Sequence, residues 1–323
     1  MNITSATSAP PSRAKFIVAF TALYLIWGST YLAIRVGDTA FPPFLMAGTR
    51  FLIAGALMLG WLVFRGERLP NARQWKEAAI TGSFLLLGGN GLVCWAEKTV
   101  HSSLAALILS STPIWFAVFD TVRPGGRRQT LNTVLGIVVG SGGVLLLVFS
   151  APARNANAQA SSLGGTLALL AACAFWAGGS LYNKYHTSAI SPWMSTAAQM
   201  FCGGLANYVA SLICGEWPSF HLAQVTTPAL LAFSYLIVFG SFAGFSAYVW
   251  LLGHCAPAKV ATYAYVNPVV ATFLGWFFLQ EPITPTICLA AFIILCGVLI
   301  VQWPAKKTRQ IPPLSGTRAP FRN

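Results

Sequence analysis

The chain has 323 residues, 56% of them hydrophobic and 8% charged, with a mean hydropathy of +0.66. A soluble domain carries about 25% charged residues, so this chain cannot clothe an ordinary water-facing surface, and a soluble enzyme is nearly excluded. The formal charge of +13, from 20 Lys+Arg against 7 Asp+Glu, would suggest nucleic acid in a soluble protein; here the basic residues sit in loops and tails between apolar runs, so they are read as membrane-orientation signals.

Residues 1–14 form a small, polar tail ending near Arg13 and Lys15. The apolar run that follows is longer than a signal-peptide core and leads into no soluble domain, so it is read as the first span. A spanning helix needs about 20 apolar residues, and the runs predict ten of them. Helices 1–5 fall at 15–34, 43–64, 76–96, 102–121 and 130–149. Helices 6–10 fall at 164–185, 192–214, 229–252, 258–279 and 283–303. Residues 65–70 (RGERLP), 123–128 (RPGGRR) and Glu281–Pro282 mark helix stops. The seven Cys lie almost entirely inside apolar runs without metal-ligand spacing, so buried thiols are expected.

With the N-terminus inside, 16 Lys and Arg fall on the cytoplasmic side and three, Arg35, Lys98 and Arg154, on the outer side. Positive residues concentrate in cytoplasmic loops. Both termini are therefore expected inside a cytoplasmic-type (inner) membrane, including the tail 304–323.

The halves resemble each other. Trp27 matches Trp176, Arg35 matches Lys184, Pro43 matches Pro192 and Gly55 matches Gly204, all 149 residues apart. Trp95 and Trp250, and Pro113 and Pro268, are 155 apart, and Gly143–Val144 matches Gly297–Val298. The expected fold is all-α: ten transmembrane helices as two five-helix repeats, 15–149 and 164–303, joined by an outer loop at 150–163. Five is odd, so the second copy enters the membrane from the opposite side. Inverted repeats of this kind are found in many secondary transporters, where two halves expose a central site to each side in turn.

The runs 25–35 (LIWGSTYLAIR), 42–55 (PPFLMAGTRFLIAG) and 265–281 (YVNPVVATFLGWFFLQE) resemble the EamA-type branch of the drug/metabolite transporter superfamily. The resemblance covers about 285 residues, both repeats included. It implies a central cavity between the repeats and transport, often export, of amino acids and other small metabolites or drugs. Glu281–Pro282 before helix 10 fits the family. The matching stretch 123–130 has three Arg and no acid, so no role of an acid carries over to the first half.

Ionisable groups inside spans are scarce and costly, so each is informative. Arg50 lies about 12 Å deep in helix 2, from the 1.5 Å rise per residue, and its repeat mate is the neutral Gln199. It either binds a substrate carboxylate or pairs with Glu97, or it snorkels outward or caps helix ends. Trp27 and Thr30, with the matching Trp176, and Asn90, Trp95, Tyr263, Tyr265 and Asn267 offer stacking and hydrogen-bonding groups for a small zwitterion. Glu97 and His101 are candidates for a gate or a proton-responsive group, although such a cluster is more commonly solvated. Pro113 and Pro268 should bend helices 4 and 9, as hinges or fixed kinks.

The sequence is read as a secondary transporter moving a small molecule outward, with membrane lipid as its other partner, as a monomer or weak homodimer. A channel is the first rival and a membrane-embedded enzyme the second. No metal or hydrolase motif is present, and no nucleotide-binding loop, so no cofactor is expected and ATP is not the direct energy source.

Overall fold

The computed structural model describes residues 12–122, 131–150, 162–186, 190–255, 260 and 262–302. Among them the chain is all helical, with no strand. The first-half rods are α1 (Arg13–Gly37), α2 (Pro43–Phe64), α3 (Ala72–Glu97), α4 (Ser102–Val122) and α5 (Leu131–Ser150). Then come α6 (Leu163–His186), α7 (Pro192–Ile213), α8 (Thr227–Tyr235, Leu236–Ala243 and Gly244–His254), α9 (Tyr263–Leu279) and α10 (Pro285–Gln302). Six of these rods are long and apolar enough to cross a membrane; Leu131–Leu146, Val266–Leu279 and Pro285–Ile300 are shorter apolar helices.

Two rods loosen midway and one breaks. Ser83–Gly91 in α3 and Leu236–Ala243 in α8 wind as π-helix, the wider turn that often marks a functional segment. These stretches overlap when shifted by the 155-residue spacing of Trp95 and Trp250. α4 is interrupted by a turn at Ser110 and Ser111. The helix resumes at Thr112 with Pro113 as its second residue, and a proline has no amide to donate into the preceding turn. Pro268 lies within the continuous α9.

α2 packs lengthwise on α7, and α5 on α10. α1 lies against α8 and α9, α6 against α3 and α4, and α4 meets α9. Glycines set the two lengthwise contacts. A Cβ on Gly55 would lie 2.6 Å from the Phe201 amide nitrogen, and one on Gly204 would lie 2.7 Å from that of Leu52. A Cβ on Gly143 would lie 2.9 Å from the Ile294 amide nitrogen, and one on Gly297 would lie 2.4 Å from that of Gly140. In each pair the later residue of one rod meets the earlier residue of the other, so both pairs run antiparallel. Small residues let apolar helices approach this closely where no hydrophobic effect draws them together.

α2 and α7 end alike. Gly66 and Gly215 adopt positive φ, 89° and 67°. The amides of Glu67 and Glu216 then reach back to the Leu62 and Ser211 carbonyls, the cap a left-handed glycine permits. The cysteine expectation needs correction. Cys94 and Cys173 are buried, but Cys214 and Cys288 are exposed, because an apolar run in this fold has a lipid-facing side as well as a core side.

Candidate functional site

Arg50 is 2% exposed despite its charge. α2 carries it inward toward the end of the π-helical stretch of α3. There its Nη2 donates to Asn90 Oδ1 at 2.8 Å and lies 4.0 Å from Cys94 Sγ. Its guanidinium sits 4.5 Å from the Phe51 ring centroid. Its Nε has no hydrogen-bond partner among the described residues. The snorkelling alternative is thereby excluded: the charge is turned into the protein.

Around this cation the same end of the bundle collects acids. Glu97, the last residue of α3, is 0% exposed, and neither carboxylate oxygen has a hydrogen-bond partner among the described residues. It is buried, so the solvated cluster expected from sequence does not form there. Arg35 Nη1 donates to the Glu97 backbone carbonyl and ties α1 to α3. Both oxygens of Asp38, just after α1, are buried and have no hydrogen-bond partner among the described residues. Burial pushes the Asp38 carboxyl well above its usual range, against the pull of Lys98, Arg35 and Arg50. Arg50 and Glu97 feel each other electrostatically but form no ion pair.

Two further acids act as caps. Glu216, after α7, accepts from the amides of Phe44 and Leu45 at 3.2 and 2.8 Å. The N-cap position there is Pro42, which has no side-chain acceptor. Burial raises the Glu216 carboxyl, and those amides offset it in part. Glu281, after α9, accepts from the amides and hydroxyls of Ser102 and Ser103 at 2.7–3.0 Å. Burial pushes its pKa up, yet those four bonds outweigh it and hold the carboxyl below the usual value. Gly275 makes room, since a Cβ there would meet Glu281 Oε2 at 2.5 Å. His101 Nδ1 stands 3.8 Å from Glu281 Oε1, so His101 belongs to this cap.

A second feature is aromatic. Trp27 of α1 meets Trp176 of α6 edge-on at 6.3 Å, so the matched tryptophans are in contact. Tyr263 and Tyr248 pack on Trp27 at 5.1 Å, and Phe245 at 5.3 Å. Phe245 also touches Phe51, next to Arg50, at 6.2 Å. The aromatic cluster and the arginine are therefore contiguous.

Other candidates lie elsewhere. Trp95 is 42% exposed, although Asn90 and Cys94 face Arg50. Five residues beyond Asn90, at about 3.6 residues per turn, a side chain points well away from that face. Gln199 does not join Arg50. It donates to Asn183 Oδ1 at 3.1 Å and Ser195 Oγ at 2.9 Å, and lines a small pocket with Gln74 and Glu77 near the starts of α3 and α7. Arg50 and Gln199 each precede the Leu52–Gly204 and Gly55–Phe201 contacts in their own helices, so in this antiparallel pair they fall on opposite sides of the crossing. The Thr30 hydroxyl is taken by the Trp27 carbonyl at 2.7 Å. Asn267 is 4% exposed, with Oδ1 unpartnered. The side chain of Tyr265 lies outside the described residues. Sequence reasoning missed Asp38, Glu216, Phe245 and Tyr248. The pair Gly66–Glu67 and Gly215–Glu216, 149 apart, was the available signal for Glu216.

The EamA-like transporter family matches residues 14–149 and again 163–303. The chain belongs to that family. It is 37% identical over 294 residues to the inner membrane transporter YedA of Escherichia coli (strain K12), covering 89% of this chain and 92% of that protein. The transporter YoaV of Bacillus subtilis (strain 168) is 26% identical over 287 residues, covering 88% and 96%. A protein of E. coli K12 named a probable amino-acid metabolite efflux pump is 26% identical over 281 residues, covering 85% and 91%. A solved crystal structure superposes with a TM-score of 0.60 at 19% identity, over 90% of this chain and 98% of that one, which speaks to the fold alone. This chain is thus a membrane transporter of the EamA-like family, with several helices long and apolar enough to cross a membrane.

Proposed function

We propose that this transporter is a secondary carrier that exports amino acids or related small metabolites by alternating access. Its ten helices form two inverted five-helix repeats, 15–149 and 164–303, with both termini cytoplasmic. The observation that carries this reading is the packing of equivalent helices. Phe201 is the 149-residue mate of Leu52, so the Gly55–Phe201 and Gly204–Leu52 contacts are mates of each other. The Gly143–Ile294 and Gly297–Gly140 contacts are mates at a spacing of 154. Equivalent rods run antiparallel in both cases, as inversion about a twofold axis in the membrane plane requires. The remaining contacts pair off as well: α1 on α8 and α9 mirrors α6 on α3 and α4. The double match of the family to the chain supports the same division.

In this reading Arg50 holds a substrate carboxylate through its unpartnered Nε, with Asn90 fixing the guanidinium. The Trp27, Trp176 and Tyr263 cluster forms the apolar wall. Export on overexpression of a panel of amino acids and analogues tests the substrate class. Topology is tested by cysteine labelling of intact cells in a background without native Cys. A Cys replacing Asn157 should label and one replacing Gly126 should not; the reverse result overturns the orientation.

A further inference from the structure

One end of the bundle is held shut by contacts that cross from the second repeat to the first. Glu216, after α7, accepts from the Phe44 and Leu45 amides at the start of α2. Glu281, after α9, accepts from the amides and hydroxyls of Ser102 and Ser103 at the start of α4. Bonds from helix amides to a carboxylate are charge-assisted and stronger than neutral ones. The same end has an aromatic seal. Phe41, just before α2, is 8% exposed and stacks on Phe220 at 5.7 Å and on Phe233 at 4.7 Å, both from the second repeat. The sequence gives the opposite end no such fittings. The mate of Glu216 is Glu67, but the start of α7 already has a cap of its own, Ser191 Oγ on the Met194 amide. The stretch matching Glu281, 123–130, has no acid. At the 155-residue spacing the mates of Ser102 and Ser103 are Pro257 and Ala258, which carry no hydroxyl.

We infer that Glu216 and Glu281 are the latches, and Phe41 the seal, of an outer gate, and that this one-sided lock makes the outward-closed form the resting state of the carrier. The inference rests on the transport reading above for the word outer and for the cycle, but not for the latch itself. Inverted halves exchange their arrangements when a central site turns from one face to the other. Two equal halves would give two states of equal free energy, and bonds made in only one of them shift the balance toward it. Opening the latched end strips both carboxylates from their helix amides and leaves water to replace them. A bond to a charged group is strong enough that losing it moves such a balance about tenfold or more. A carrier that rests closed on the outside waits to be loaded at Arg50 from the cytoplasm, which is the order of events an exporter needs.

Cys94 reports on the gate, since it is 0% exposed near the end of α3, beside Arg50. The experiment measures how fast a membrane-impermeant maleimide modifies Cys94, kept as the sole cysteine of the purified full chain in detergent. With both glutamates in place the reaction should be slow. Glu216→Gln combined with Glu281→Gln should speed it about tenfold or more. Pro42→Ser keeps both acids and gives α2 an N-cap of its own, as Ser191 does for α7. It competes with Glu216 and should also speed the reaction, and it decides the matter if the double variant does not fold. Ser191→Ala removes a cap at the opposite end and should leave the rate unchanged. Either latch variant reacting no faster than the parent overturns the proposal, and so does Ser191→Ala reacting as fast as they do. In intact cells the same increase should appear with reagent added outside. An increase in purified protein that is absent in cells overturns the outward-closed resting state and leaves the latch standing. A wild type that exports no amino acid while the latch variants label sinks the transport reading alone.

Discussion

The twofold packing predicts matched penalties at matched glycines. Gly55→Ala would put a methyl 2.6 Å from backbone at Phe201, where ordinary contact begins at 3.4 Å. Backbone cannot swing aside as a side-chain tip can, so α2 and α7 must part locally by roughly 0.8 Å, the shortfall to ordinary packing. Overpacking of this kind costs about 1–3 kcal/mol, against a gain of about 0.5–1 kcal/mol for replacing a mid-helix glycine. On the same two figures the net loss is about 1 kcal/mol at their midpoints and at most about 2.5 kcal/mol. Gly204→Ala meets Leu52 at 2.7 Å and should lose the same amount. Gly60 supplies the control on the same helix, because nothing lies within 4 Å of its Cβ position. Gly60→Ala should therefore gain about 0.5–1 kcal/mol. Reversible unfolding in mixed micelles with increasing denaturing detergent reads all three. Equal stability of Gly55→Ala and Gly60→Ala would refute the packing argument. A penalty at Gly55 without one at Gly204 would refute the symmetry.

Arg50→Ala should abolish or strongly reduce export with membrane expression intact, and Arg50→Lys should recover little, since an ammonium cannot reproduce a guanidinium held on Asn90 and open at Nε; normal export by Arg50→Ala removes the residue from the site. Glu281→Gln should destabilise the protein by about 1.5–3 kcal/mol, the worth of a hydrogen bond to a charged group. That contribution belongs to the ionised form, because the native carboxyl is held below its usual value. It is fully present above the unfolded value of about 4.3 and is lost as pH falls through the lower native value. The stability gap between wild type and Glu281→Gln should therefore close in acid, and a gap independent of pH would contradict the capping role. Glu216 has the opposite sign: burial raises its carboxyl, so any stability it contributes through titration is present at low pH and lost as pH rises through the raised native value.

Hydropathy located the rods within a few residues because spans are set by bilayer thickness. It could not register where a rod changes its winding. The π-helical stretch of α3 ends at Gly91, just past Asn90, and the sequence offers only glycines there. Trp95 looked like a site residue because an aromatic within a span offers a stacking surface, yet it is 42% exposed, and its mate Trp250 packs on Phe16 and His254. Identity at matched positions records common origin and not a common neighbourhood. Glu97 was misjudged for a related reason. Sequence places it at a helix end, and ends are usually wet, but here Arg35 holds that end against α1 and closes it.

The two Gly–Glu endings carry this distinction furthest. After α2 and after α7 the backbone makes the same turn with the same hydrogen bonds, and each turn is followed by a glutamate. Only Glu216 caps the partner helix. At the other end of the same antiparallel pair, Glu67 would have to cap the start of α7, whose Met194 amide is already served by Ser191 Oγ at 3.3 Å. The residue matching Ser191 at the start of α2 is Pro42, which cannot serve. A duplicated backbone thus offers the same acid twice, and one substitution at an N-cap decides which copy is buried and which stays at the surface. The same logic separates Arg50 from Gln199. The antiparallel packing of α2 on α7 puts these matched positions on opposite sides of their crossing, and of the two Arg50 alone carries charge. On the proposed reading, the buried cation that would hold a substrate carboxylate therefore lies in one half alone.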